Sequence, residues 1–269
     1  MALRYTGEVL YDEKSDFQQV RVLESYKYGK MLTLDNMVMT TEKDEFHYHE
    51  MISHPAMLCH GNVKNVLVIG GGDGGTIREV LKHDSIEHVT MVEIDGKVIE
   101  ACKIHLPNIA NSFDHPKLKL IVGDGIEFVK NQHEKYDLII VDGSDPVGPA
   151  EGLFTIEFYQ NCFNLLEDKG ILVAQGESPK FNEKAFSELN ATLKSIFGKD
   201  KTDVSLFYVP TYPTGMWSFQ FGLKGLNKLE LDKEKWDTFE SNNEMNYLNQ
   251  DIFTASFALP NFVKKMINE

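Results

Sequence analysis

The sequence predicts an α/β protein: a mostly parallel, doubly wound sheet with an antiparallel edge, preceded by a small antiparallel β unit. Three observations carry this. The apolar run Val66-Leu67-Val68-Ile69 passes into Gly70-Gly71-Gly72-Asp73-Gly74-Gly75 and then Thr76-Ile77-Arg78-Glu79-Val80-Leu81, the outline of a buried strand, a nucleotide-binding loop and a helix start. After Asn62, apolar runs alternate with helical stretches in the order that builds a parallel sheet. Trp217, Phe219 and Phe221 alternate with Ser218, Gln220 and Gly222, a period of two that suits an antiparallel pair at the sheet edge.

Taken in order, the first 45 or so residues read as β structure. Val20, Val22 and Leu23, then Met31, Leu32, Leu34, Val38 and Met39, fall in short runs, with Tyr28-Gly29-Lys30 and Asp35-Asn36 as turns. From Glu45 the spacing of Phe46, Tyr48, Met51, Ile52, Met57 and Leu58 suits a helix kinked or interrupted at Pro55. The domain boundary is placed at its middle: residues 1–52 form the β unit and the start of the linking helix, and 53–269 the larger domain. There, strands are expected at 65–70, 88–94, 118–123, 136–142 and 170–175, and helices at 75–83, 96–105, 125–132, 155–167 and 182–197. Two strands, 203–209 and 216–223, flank the turn Pro210 to Gly215. From Leu229 onward a polar connection leads to a terminal helix, Pro260 to Ile267. Right-handed crossovers place the loops after the parallel strands along one edge, where ligands bind in open α/β sheets.

Composition narrows the function classes. A formal net charge of -14 over 269 residues argues against general affinity for nucleic acid or anionic membranes, which needs clustered Lys and Arg. Cys59, Cys102 and Cys162 have neither disulfide density nor zinc-site spacing, and are read as reduced, two of them in helix cores. With no apolar leader and no run of membrane-spanning length, a cytoplasmic protein is expected.

The candidate site lies on the loop edge. Gly70, Gly72 and Gly75 satisfy G-x-G-x-x-G, and Glu93 closes the next strand about 20 residues on, where a carboxylate takes ribose hydroxyls. That pattern alone would suggest NAD, but Asp73 puts negative charge where a pyrophosphate would sit. A ligand with a cationic tail is expected instead. The duller role for Asp73 is a helix cap, as it is for Asp95 and Asp124. In Gly123-Asp124-Gly125 the carboxylate can also accept from an adenine amino group. Asp142 and Asp145 follow the fourth strand in a proline- and glycine-shaped loop, 142–152, of the length of a lid. With Asp73 they make a negative pocket without a lysine nearby in sequence, costly unless the ligand brings positive charge. Tyr48 and Tyr212 add hydroxyls if they are not merely packing residues. His47, His49, Glu50 and His54 raise a metal question, but His47 and Glu50 share a helix face that His49 does not, so no metal site is expected.

Across nearly its whole length the chain resembles the spermidine synthases. The likeness is carried by Ser15-Asp16-Phe17-Gln18, Thr41 to Phe46, Tyr48-His49-Glu50-Met51, Gly70 to Gly75, Glu93-Ile94-Asp95, Gly123-Asp124-Gly125, Asp142 to Glu151, Gln175-Gly176-Glu177 and Pro210 to Gly215. It implies aminopropyltransferase activity on a methyltransferase-like Rossmann fold. It also implies that Gln18, Glu93, Asp124, Gly125 and Pro149 contact the nucleoside of decarboxylated S-adenosylmethionine, with Asp73 near its tail. Tyr48, His49, Asp73, Asp145 and Tyr212 would hold the amine-bearing groups, and Asp142 would be the base. Two positions beside the amine pocket vary within the family: His49 stands where animal members have Gln, and Gly143, next to Ser144, replaces a more frequent Ser.

The expected reaction moves an aminopropyl group to putrescine, giving spermidine and 5'-methylthioadenosine. Decarboxylated S-adenosylmethionine is a co-substrate, and neither a metal nor another cofactor is expected. Cadaverine, 1,3-diaminopropane or spermidine are the alternative acceptors; a non-catalytic polyamine or nucleoside sensor is the alternative of another class. The resemblance further implies a homodimer or homotetramer, through the N-terminal strands.

Overall fold

The computed structural model describes residues 7–144 and 152–268. Among them two sheets are formed. The first is an antiparallel meander of β1 (Gly7–Lys14), β2 (Gln19–Ser25), β3 (Gly29–Leu34) and β4 (Met37–Thr41). Asp35 and Asn36 join β3 to β4 with φ of 48° and 67°, the two-residue hairpin geometry that short polar side chains tolerate. β1 was not marked by an apolar run because most of it is exposed, whereas Val20, Val22, Met31 and Leu32 are buried.

The second sheet contains β5 (Asn65–Gly70), β6 (His88–Glu93), β7 (Leu118–Val122), β8 (Tyr136–Asp142), β9 (Leu166–Gln175), β10 (Thr202–Tyr208) and β11 (Met216–Leu223). Their order is β10-β11-β9-β8-β5-β6-β7, with parallel pairing from β9 to β7 and antiparallel pairing of β11 with β9 and β10. The first strand of the series, β5, lies between β6 and β8, so the chain winds outward on both sides and leaves a crevice at its carboxyl end. Val66, Leu67, Val68 and Ile69 are buried on both faces, as a covered parallel strand requires.

Between these strands run α2 (Gly75–Val80), α3 (Gly96–His105), α4 (Gly125–Asn131), α5 (Ile156–Leu165) and α6 (Glu183–Phe197). Asp95 and Asp124 cap α3 and α4 by accepting backbone N–H bonds. Cys102 and Cys162 are buried in α3 and α5, and all three cysteines are free.

The linking helix α1 (Glu45–His60) runs unbroken across residue 52 and through Pro55. A proline inside a helix costs about 3 kcal/mol, but every residue from Tyr48 to Leu58 is buried here, mainly against α2, β8, β9 and β10, and that packing outweighs the lost hydrogen bond. The helix ends at Gly61, in the left-handed region at φ 77°.

The C-terminal part holds more helix than expected: α7 (Lys233–Asn242), α8 (Gln250–Ser256) and α9 (Asn261–Met266). Only Trp236 and Phe239 of α7 are buried, too sparse a stripe to stand out from a polar connection. The segment is anchored by Glu50 of α1, whose buried carboxylate accepts from the N–H groups of Asn246, Tyr247 and Leu248 at 2.7, 2.9 and 2.8 Å.

Two further carboxylates fasten the small sheet to the large one. Asp95 accepts from Ser15 Oγ at 2.6 Å and Gln18 Nε2 at 3.0 Å. Asp44, just before α1, accepts from Thr41 Oγ1 at 2.6 Å and from Thr211 Oγ1 at 2.7 Å. The β2 start and the 209–215 loop are thereby brought over the carboxyl edge of the large sheet.

Candidate active site

A cavity of about 990 Å³ opens where these parts meet. Its floor is the carboxyl ends of β5, β6, β8 and β9; β3, β4 and the turn after β10 close it from the other side. At its centre the glycine loop approaches β8 closely. Gly70 has φ 86°, and a Cβ there would lie 2.1 Å from the Asp142 carbonyl oxygen, so only glycine fits. The Gly71 N–H donates to that same carbonyl at 3.0 Å.

The Asp142 carboxylate is held by two hydroxyls. Tyr48 donates to Oδ1 at 2.7 Å and Thr76, in the first turn of α2, donates to Oδ2 at 2.6 Å. Enclosure, and then the negative charge of Asp73, push the Asp142 carboxyl above its ordinary value; the His49 charge and the two hydroxyls act the other way. Burial and the adjacent Asp142 raise the Tyr48 phenol, which therefore stays protonated and serves as a donor.

Asp73 has two tasks. Its Oδ1 accepts from the Gly75 N–H at 2.9 Å, which turns the chain into α2, and its Oδ2 lies 3.2 Å from His49 Nε2. On the other side of the ring His49 Nδ1 lies 2.5 Å from Glu45 Oε2, which also takes an Arg78 bond at 2.8 Å. Burial alone would lower the pKa of His49, but the charges and hydrogen bonds of Asp73 and Glu45 hold it well above the usual value. Burial likewise disfavours charge on Glu45, yet His49 and Arg78 bring its carboxyl down to about 2. Imidazolium thus sits between two carboxylates. The negative pocket expected without a neutralising lysine has this histidine instead. Gly75 makes the room, since a Cβ there would fall 2.2 Å from the ring.

Toward the other end, Glu93 is buried and accepts from the Asp95 N–H at 2.9 Å. Burial pushes its carboxyl up to about 7, a preference that hydroxyl donors from a ribose would reverse. The loop comes close to Glu93: a Cβ on Gly72 would stand 3.0 Å from its Oε2. Asp124 lines the cavity and caps α4 through Oδ1 to Ile126 N at 2.7 Å. Gly125 lets α4 pack on Ile69, whose Cγ2 would be 2.6 Å from an added Cβ. Gln18, Gly143, Ser144 and Tyr212 also line the cavity, Tyr212 with its hydroxyl donating to the Met39 carbonyl at 2.6 Å. Asp145 and Pro149, with most of the loop read as a lid, lie outside the described residues.

The histidine-rich stretch of α1 is dispersed. His47 stacks on Phe46 and meets Tyr247, His49 turns to Asp73, Glu50 binds backbone, and His54 contacts Glu79 and His83. No group of three or more His, Cys, Asp or Glu among the described residues is arranged to hold a metal. No helix among them is long and apolar enough to cross a membrane.

Sequence reasoning missed Thr76, Glu45 and Arg78. Glu45 and His49 are four apart on one helix, a spacing that signals contact, but nothing in the sequence says that the glycine loop and α2 bring Asp73 and Arg78 to the same pair.

The chain is similar to known proteins over nearly its whole length. Residues 45–233 match the spermine/spermidine synthase domain, and residues 6–42 the spermidine synthase tetramerisation domain. The polyamine aminopropyltransferase of Alkaliphilus metalliredigens (strain QYMF) is 46% identical over 263 residues, 97% of this chain and 91% of that protein. That of Clostridium perfringens (strain 13 / Type A) is 47% identical over 262 residues, again 97% of this chain and 91% of its own. A crystal structure of spermidine synthase in complex with the transition state analogue AdoDATO superposes with a TM-score of 0.92 at 42% identity, covering 97% of this chain and 88% of the other. With both parts of the chain matched and its cavity edged by the residues that carry the likeness, this protein belongs to the spermine/spermidine synthase family.

Proposed function

We propose that the protein transfers the aminopropyl group of decarboxylated S-adenosylmethionine to putrescine, giving spermidine and 5'-methylthioadenosine. The observation that carries this is the pair Asp73, within the glycine loop, and Asp142, at the end of the neighbouring β8, lining one cavity that also holds Glu93. A nucleoside can approach the glycines closely while its sulfonium and ammonium face carboxylates, and dicationic putrescine suits the same field. The carboxylate of intact S-adenosylmethionine would meet repulsion from Asp73.

On this reading Glu93 takes the ribose hydroxyls. Gln18, Asp124, Gly125 and Pro149 bound the rest of the nucleoside, and Asp73 holds the donor's tail. His49 acts through Asp73, fixing its orientation and moderating its charge rather than touching the amine. Tyr48, Gly143, Ser144, Asp145 and Tyr212 border the acceptor.

The acceptor ammonium, with an ordinary pKa of about 10.4, must give up a proton for its nitrogen to attack. Asp142 receives that proton as the nitrogen lone pair forms a bond to the methylene carbon beside sulfur. The carbon–sulfur electrons return to sulfur, which leaves as the neutral thioether of methylthioadenosine. The new secondary amine keeps its positive charge, and the proton on Asp142 passes to solvent. Holding donor and acceptor in line supplies the remaining acceleration. No step calls for a metal or a second cofactor.

The tetramerisation-domain match supports a homo-oligomer, tetramer or dimer, built through the N-terminal strands. Those strands end at Thr41, and α1 is assigned to the catalytic unit it packs against. Free thiols at Cys59, Cys102 and Cys162 suit a reducing, cytoplasmic setting.

The test is amine-dependent release of methylthioadenosine from purified protein, followed by chromatography. Release that requires putrescine is expected; binding of both substrates without release would make the protein a sensor.

A further inference from the structure

Thr76 is fully buried, and its hydroxyl lies 2.6 Å from Asp142 Oδ2, on the opposite oxygen from the one Tyr48 binds. It stands in the first turn of α2, directly after the turn that Asp73 closes on Gly75. The glycine loop and the helix it leads into therefore grip Asp142 at two points: Gly71 N–H on its backbone carbonyl and Thr76 on its side chain.

We propose that Thr76 is a positioning residue for aminopropyl transfer, fixing the plane of the Asp142 carboxylate and keeping it ionised so that it can take the acceptor's proton. This rests on Asp142 being the base. A carboxylate has about four lone-pair sites, so two hydroxyl donors leave room for an ammonium. With both oxygens tethered, the side chain is held in place where it lines the cavity. Because Thr76 directly follows the loop against which the donor would lie, orientation of the base is tied to the donor's seat.

The charge balance shows why a donor is needed. Among the described residues, Tyr48 and His49 of α1, Asp73 of the glycine loop and Glu93 of β6 are the titratable groups around Asp142. Asp73 and enclosure favour the protonated carboxyl; His49, Thr76 and Tyr48 favour the anion. Without Thr76 the balance moves toward protonation, so the pH at which the base is lost rises.

The experiment is the pH profile of kcat for the full-length enzyme and Thr76→Val, Thr76→Ala and Thr76→Ser, with Asp142→Asn as reference. Valine and alanine are expected to move the acidic limb up by about one pH unit, so that turnover falls roughly tenfold on that side and recovers at higher pH. Methylthioadenosine affinity, measured by calorimetry, stays within about twofold, since a residue acting on the base leaves uniform nucleoside binding intact. Serine keeps the limb in place. Valine has the shape of threonine and alanine favours the helix, so one folded variant of the two suffices for the reading. An unmoved limb with uniform loss of turnover would overturn the proposal, as would a serine variant that behaves like valine. Normal turnover in Asp142→Asn would instead overturn the base assignment itself.

Discussion

Asp142→Asn is expected to lower kcat by about 10²- to 10⁴-fold, the usual range for loss of a general base, while changing donor affinity little. The amide is nearly the same shape. Its oxygen can accept from Tyr48, and its nitrogen can donate to Thr76 once that hydroxyl rotates, so the two contacts at 2.7 and 2.6 Å survive. The Gly71 bond to the backbone carbonyl is untouched. What is lost is the ability to accept a proton from an amine whose ordinary pKa is about 10.4. Single-turnover kinetics at saturating donor and putrescine would show it directly, and near-normal turnover would sink the assignment.

Asp73→Asn is expected to weaken the decarboxylated donor by about tenfold to a hundredfold, the worth of a hydrogen bond to a charged group. The intact S-adenosylmethionine should lose much less, or gain, so the preference between them narrows. The asparagine oxygen can still accept from Gly75, and the turn into α2 persists. Its amide nitrogen, however, would face the His49 N–H, donor against donor, leaving the imidazolium with Glu45 as its remaining carboxylate partner. The cation-binding charge disappears and a positive charge is less well offset, and both changes act on the same end of the ligand. Calorimetry with the two donors measures the ratio. If it is the same as in the unaltered protein, Asp73 only shapes the turn.

Much of this site is local chemistry and so was legible in the chain. The glycine loop, Glu93 at the end of β6, the caps Asp95 and Asp124 and the hairpin at Asp35-Asn36 depend on neighbours within a few residues, and each is where its spacing placed it. β11 announced itself by strict alternation. What could not be read depends on elements far apart in sequence. Asp73 looked uncompensated because its partner, His49, arrives from α1, and the charge of His49 depends in turn on Glu45. Thr76 is an ordinary helix-start residue until β8 brings Asp142 to it, 66 positions later. The helix through Pro55 shows the same competition: local geometry disfavours the proline, and burial along α1 decides the outcome. α7 and β1 escaped notice for the converse reason, since each buries too little to print a period on the sequence.

The claim that joins these parts is that an acidic cavity passes a cationic aminopropyl group to a diamine. Mass spectrometry of the products formed from decarboxylated S-adenosylmethionine, isotopically labelled in its aminopropyl group, and an equimolar mixture of putrescine, cadaverine, 1,3-diaminopropane and spermidine tests it most directly, since the label separates newly made spermidine from that supplied. The expected result is spermidine as the main product, one aminopropyl group heavier than putrescine, together with methylthioadenosine. Preferential modification of another amine would contradict the acceptor assignment, and a mixture left unmodified would contradict the account as a whole.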